Sequence, residues 1–207
     1  MSDEKFKNAI TQDNKSGKTI LVLDTVHRRI DVRLVLRDGT LKVCEGEVSM
    51  RPDLDQKLGG VVRELLLSAG IAVSDVDIFA VVVGPGSWTG ARVGVSAVKA
   101  YLMLGQRPVV ELNSLEIAGL NFNGEGVLAM KSGRDNYFVM RNVGGDNVFL
   151  YEKLSNENIV SQNIKLFSDI DRGEYERNKM RVLFEKIENG EFAITPEPLY
   201  VTDFVVD

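Results

Sequence analysis

Apolar residues along the chain recur with two spacings. The stretch TILVLDT, Thr19 to Thr25, is an almost unbroken apolar run, which is the pattern of a buried strand. IDVRLVLRDG and TLKVCEGEV follow, with apolar and polar positions alternating on both sides of Asp38-Gly39, a dipeptide suited to a hairpin turn. Three antiparallel strands are therefore predicted. Asp53 then offers a helix N-cap with Gln56 three residues on, and Leu58, Val61, Val62, Leu65 and Ala69 form one apolar stripe before Gly70 stops the helix. Asp77 to Val83 is apolar without alternation, as expected of a parallel strand covered on both faces. After the glycine-rich turn GPGSWTG, Thr89 is the expected cap of a second helix over Ala91 to Leu104, ended by Gly105, and PVVEL starts another strand. The predicted order is β-β-β-α-β-α-β.

The second half repeats the opening. GVLAMKSGRDNYFVMRNVGGDNVFLYEKL reads as three strands separated by a turn and by a Gly144-Gly145 turn, which hints at a duplicated architecture. Ser155 to Glu191 is polar and gives one helical signal, Tyr175 to Ile187. The tail ITPEPLYVTDF is punctuated by proline, with Leu199 and Tyr200 as expected anchors. Residues 1–18 are polar, mixed in charge and aperiodic, the pattern of a mobile leader.

Composition narrows the chemistry. With 207 residues, 44% hydrophobic and 27% charged, the chain can bury a core in one or two domains. Its apolar runs are too short to span a bilayer and its N-terminus has no signal-peptide centre, so the expectation is a soluble, cytoplasmic protein without membrane contact. One cysteine, Cys44, and one histidine, His27, supply neither an internal disulfide nor the usual zinc ligands, and no metal site or cofactor is expected. A formal net charge of -5 argues against the chain gripping nucleic acid alone, because phosphate affinity comes from Lys and Arg.

The glycine turn supports two readings. GPGSWTG matches neither the dinucleotide fingerprint nor a P-loop, yet a glycine-rich turn at a helix N-terminus leaves amides free for an anion. On the functional reading, the turn around Gly84 and Gly86, with the hydroxyls of Ser87 and Thr89, binds an anion such as a phosphate. On the structural one, the glycines supply unusual backbone angles and close packing. The helix that follows carries Gly90, Gly94 and Ala97 on one face, and the helix before it holds Gly59 and Gly60, each of which costs roughly 1 kcal/mol against alanine and wants a packing reason. Those small faces suit either another helix or the domain's own sheet. Asp24, at a strand end, is a candidate metal-water or phosphate-side carboxylate in a working kinase or ATPase, or else a hydrogen-bonded strand terminus. A peptidase built on Ser87 and His27 lacks an identifiable third member.

A family resemblance enters at these residues. Gly84-Pro85-Gly86-Ser87-Trp88-Thr89-Gly90-Ala91-Arg92-Val93-Gly94 resembles the GPGSFTGLRIG signature of the TsaB (YeaZ) family, and Ile20 to Thr25 resembles its opening strand. Asn113-Ser114-Leu115-Glu116 is similar to its (N/S)SLE element, and Glu197-Pro198-Leu199-Tyr200-Val201 to its terminal P-x-Y-L. Trp88 replaces a Phe, Ala91 a Leu and Val26 a usual Ser, and the latter half is short for the family.

The resemblance implies an α/β, actin-like or Hsp70-like (ASKHA) fold of two duplicated lobes, each opening with three antiparallel strands in a mixed sheet. Lobes over 19–112 and 113–207 are expected. It also implies a non-catalytic partner of TsaD, the subunit that threonylcarbamoylates N6 of adenosine 37 in tRNAs reading ANN codons, with a TsaE-like ATPase joining and tRNA met only through the complex. The partner surface is then expected on the first two long helices, at Leu58, Val62 and Leu65 on one and Gly94, Val95, Val98 and Leu102 on the other. A homodimer in isolation is expected through the same face.

Overall fold

The protein is described by a computed structural model covering residues 17–27, 29–47, 54–121, 126–143 and 146–199. Strands β1 (Ile20–Asp24), β2 (Arg29–Val35), β3 (Leu41–Glu47), β4 (Ile78–Gly84) and β5 (Val109–Asn113) form one sheet in the order β3-β2-β1-β4-β5. β1, β2 and β3 pair antiparallel, while β4 and β5 continue parallel to β1. β6 (Val127–Lys131), β7 (Asn136–Val143), β8 (Asp146–Lys153) and the two-residue β9 (Lys165–Leu166) form a second sheet in the order β8-β7-β6-β9. Its first three strands are antiparallel and β9 is parallel to β6. Both sheets are thus built to one plan, an antiparallel meander extended by a parallel strand beside its first member, and the chain is a duplicated α/β protein with two mixed sheets.

The hairpin between β2 and β3 turns where Asp38-Gly39 predicts. Gly39 has φ +81°, its N–H donates to the Leu36 carbonyl at 2.9 Å, and the Thr40 N–H donates to the Asp38 carboxylate at 2.8 Å. Helix α1 (Leu54–Ala69) and helix α2 (Trp88–Leu102) cover one face of the first sheet. Leu21 and Leu23 of β1 and Phe79, Val81 and Val83 of β4 point into that layer, because successive strand residues alternate in direction. Ile20, Val22, Ile78, Ala80 and Val82 point the other way. There they meet α3 (Ser114–Gly119), the second sheet and α5 (Arg172–Glu188), a helix from the second half of the chain. Cover on both faces explains why β4, and β1 up to Leu23, are uniformly apolar. The far face of the second sheet packs Ala129, Val139 and Ile164 against Ile159 of the short α4 (Asn156–Ser161).

Several sequence expectations change. α2 starts at Trp88, three residues before the expected Ala91, and its cap is Ser87, whose Oγ accepts the Gly90 N–H at 3.1 Å. Thr89 therefore lies inside the first turn and caps nothing. The polar segment Ser155 to Glu191 holds α4, β9 and α5, and α5 extends past the expected Tyr175 to Ile187, capped by the Asp171 carboxylate on the Glu174 N–H at 2.9 Å. The expected cap Asp53, the Gly144-Gly145 turn, Tyr200 with Val201, and all of the leader but Gly17 and Lys18 lie outside the described residues.

Candidate functional site

The glycine turn joins β4 to α2, and its glycines are required by what they touch. Gly84 and Gly86 have φ of +123° and +154°. A Cβ on Gly86 would lie 2.9 Å from the Val26 carbonyl oxygen, and one on Gly90 only 2.0 Å from that of Thr25. A Cβ on Gly94 would meet the Thr25 hydroxyl at 2.7 Å. Two hydrogen bonds hold this approach: Ser87 N–H to the Val26 carbonyl at 2.8 Å, and Thr25 Oγ1–H to the Gly90 carbonyl at 2.7 Å. Above Gly84 sits Leu199, whose N–H donates to the Val83 carbonyl at 2.9 Å. The loop is therefore packed between the end of β1 and Leu199. Its Ser87 amide and hydroxyl are both engaged, which is what the conformational reading of Gly84, Gly86 and Ser87 requires, and Thr89 stands exposed beside them.

The seven residues expected on a partner surface are placed elsewhere. Leu58, Val62 and Leu65 of α1 and Val95, Val98 and Leu102 of α2 are at most 6% exposed and pack on their own sheet, and Gly94 abuts Thr25 and Val81. The apolar stripes are the lobe's core, so the expectation that they face outward is corrected. What the two helices present outward is different. Gly59 and Gly60 are exposed, and among the described residues nothing beyond their own helix backbone lies within 4 Å of a would-be Cβ. Ser96 and Ala100 are exposed as well, and Leu67, Met103 and Leu104 are 66%, 87% and 70% exposed.

Sequence reasoning missed a buried ionic cluster where α5 meets β1 and β2. Lys179 is fully buried, and its ammonium lies 3.0 Å from Asp24 Oδ2, 3.1 Å from Asp31 Oδ1 and 2.6 Å from Glu176 Oε2. Arg33 forms a two-point contact with Asp31 at 2.9 and 3.0 Å and reaches Glu176 at 2.6 Å, while Arg29 pairs with Glu176 as well. Three carboxylates thus face three cations. Burial, the largest single influence, pushes the Asp24 and Asp31 carboxyls up, but Lys179 with His27 at Asp24, and Lys179 with Arg33 at Asp31, together outweigh it, so both lie below their ordinary value. Burial prevails at Glu176, which is raised, and Lys179 is raised because its three carboxylates outweigh its burial.

His27 borders this cluster. Its Nε2 is 3.0 Å from Tyr175 Oη, its ring stacks on Phe167 at 5.0 Å, and burial lowers its pKa. Its described polar partner is Tyr175, whereas Ser87 Oγ caps α2, so the two members of the suggested peptidase pair are each engaged elsewhere. Among the described residues no group of three His, Cys, Asp or Glu side chains is disposed to hold a metal ion, and no helix is long and apolar enough to cross a membrane. A signal for the cluster did exist: Asp31 and Arg33 share one face of β2, and Glu176 and Lys179 one face of α5.

The model of the family described as TsaD, tRNA N6-adenosine threonylcarbamoyltransferase, matches residues 52–204. A threonylcarbamoyltransferase of that description from Thermomicrobium roseum is 33% identical over 98 residues, 40% of this chain and 27% of the relative. The tRNA threonylcarbamoyladenosine biosynthesis protein TsaB of Bacillus subtilis is 30% identical over 103 residues, 50% of this chain and 44% of the relative. The chain thus spans less than half the length of these curated relatives. Among solved structures, YeaZ from Pseudomonas aeruginosa superposes with a TM-score of 0.64 at 23% identity, covering 88% of this chain and 99% of the other. A second structure, a protein with similarity to peptidase YeaZ from Pseudomonas aeruginosa, gives 0.67 at 21% identity, covering 89% and 100%. These likenesses are of fold.

Proposed function

This chain belongs to the family of TsaD, tRNA N6-adenosine threonylcarbamoyltransferase, and we propose that it acts there as a non-catalytic, TsaB-like subunit. In this reading it binds a TsaD-like transferase and supports N6-threonylcarbamoylation of adenosine 37 in tRNAs reading ANN codons. The observation that carries the non-catalytic part is the state of Asp24. It is fully buried and held by the Lys179 ammonium at 3.0 Å, so the carboxylate that a kinase or ATPase would turn toward a phosphate is already paired inside the protein. The closed glycine loop agrees, since its Ser87 amide donates to the chain's own Val26 carbonyl. With a net charge of -5, tRNA is met through the complex.

The docking face we assign is the outward side of α1 and α2. Gly59, Gly60, Ser96 and Ala100 leave it shallow enough for close backbone approach, and Leu67, Met103 and Leu104 supply apolar area at its end. A TsaE-like ATPase joins the pair, and the isolated chain self-associates through the same face until the transferase displaces one copy. The test is twofold. Tagged chain expressed in its source cells should co-purify a TsaD-like subunit, and its depletion should lower threonylcarbamoyladenosine in total tRNA. ATP turnover by the isolated chain that vanishes in Asp24→Ala would instead make it an enzyme.

A further inference from the structure

The cluster at the lobe junction has the form of a binding site whose ligand is part of the chain. Three carboxylates from three elements, Asp24 at the end of β1, Asp31 in β2 and Glu176 in α5, converge on one nitrogen at 3.0, 3.1 and 2.6 Å. The ammonium donates hydrogen bonds to Asp24 and Asp31 and is ion-paired with Glu176; the 3.0 and 3.1 Å separations suit N–H···O bonds, whereas a divalent metal would need oxygens at about 2.0–2.6 Å. The Tyr175 ring completes the seat, with Lys179 Nζ 5.6 Å from its centroid. Arg29 and Arg33 balance two of the three negative charges from outside, leaving one for the ammonium to neutralise.

We propose that the junction is an ammonium-binding site, occupied by Lys179 as a tethered ligand that clasps α5 to β1 and β2, and able to take a free primary alkylammonium ion when that side chain is cut back. The inference stands on this geometry and does not depend on the role in tRNA modification. Removing the lysine leaves an uncompensated carboxylate in a dry cavity about the length of the lost side chain, and the partners must then recruit a cation or separate. A primary ammonium of matching length restores the charge, the hydrogen bonds to Asp24 and Asp31 and the ion pair with Glu176. A quaternary ammonium of equal charge has no N–H to offer.

The experiment is chemical rescue in the full-length protein. Lys179→Ala is expected to melt well below the parent, and millimolar n-propylammonium or n-butylammonium chloride to raise its Tm by at least about 3 °C over tetramethylammonium chloride at equal ionic strength, a shift above ordinary error for a domain of this size. The parent and the double variant Lys179→Ala/Asp24→Asn should show no such difference. Equal response of all three proteins, or none in Lys179→Ala, overturns the proposal. If Lys179→Ala does not fold, the same comparison is made on its refolding yield. An independent reading uses the parent alone: the Lys179 ¹⁵Nζ–H₃ resonance should persist at neutral pH, when exposed lysines are lost to exchange. Exchange as fast as an exposed lysine's would equally overturn the assignment.

Discussion

Replacing Gly90 with alanine tests how tightly α2 is laid against the end of β1. The added Cβ would sit 2.0 Å from the Thr25 carbonyl oxygen and 2.8 Å from its carbon, both backbone atoms of a fully buried strand end. A carbon and an oxygen in ordinary contact lie over 3 Å apart, so helix and strand must separate by about 1 Å or more, and overpacking of this kind costs roughly 1–3 kcal/mol. The same movement stretches the 2.7 Å bond from Thr25 Oγ1 to the Gly90 carbonyl, for about a further 1 kcal/mol. Alanine's better helix propensity returns at most about 1 kcal/mol. The net expectation is a loss of roughly 1–4 kcal/mol, a fall in Tm of about 2–16 °C for a chain of this length. Thermal unfolding followed by circular dichroism at 222 nm reads it directly. A Gly90→Ala protein that melts within 1 °C of the parent would refute the close contact, and with it the closed form of the glycine loop.

The other substitutions sort by the same contacts. Gly59→Ala meets nothing within 4 Å and should raise stability by about 0.4–1 kcal/mol, visible as a higher urea midpoint at unchanged m. Gly86→Val combines φ +154° with the Val26 carbonyl 2.9 Å away and should destabilise more than Ser87→Ala, which loses only a cap worth about 1 kcal/mol. Parallel urea titrations rank the two. For pH, buried His27 has a folded pKa below its ordinary value, so its stabilising share is full above the unfolded value of about 6.5 and shrinks as pH falls through the folded one. Asp24 and Asp31, also depressed, lose their share only below about pH 4. Chemical denaturation from pH 8 to 3 should show two declines, and His27→Gln should lack the first.

The first sheet was legible because covered strands and amphipathic helices write themselves as apolar periodicity. Ile20 to Asp24, Ile78 to Gly84 and the stripe through Leu58, Val62 and Leu65 all form the elements expected of them. The stripe's direction was not legible. One apolar face on a helix looks the same whether it meets its own sheet or a partner, and here the sheet takes it, leaving Gly59, Gly60 and Ala100 outward. α5 was obscured for a related reason: it buries Glu176, Asn178 and Lys179 among its apolar residues, so its mean hydropathy is that of an exposed helix. Asp31 and Arg33 misled likewise, since a charged alternation in β2 reads as a wet face, whereas each is neutralised by a partner more than 140 residues along the chain.

The outward face of α1 and α2 is the part of the account on which the proposed role stands, and Gly60 offers the cleanest way to block it. Among the described residues, arginine there meets nothing within 4 Å at Cβ beyond its own helix backbone, so the fold should persist, but a long charged side chain would stand where a partner helix must approach. The measurement is the affinity of the parent and of Gly60→Arg for the TsaD-like subunit of the same cell, by isothermal titration calorimetry, with Tm recorded for both. The account predicts an unchanged Tm and a Kd raised about 100-fold or more, the equivalent of at least about 2.7 kcal/mol. A folded Gly60→Arg protein that binds the subunit with the parent's affinity would contradict it.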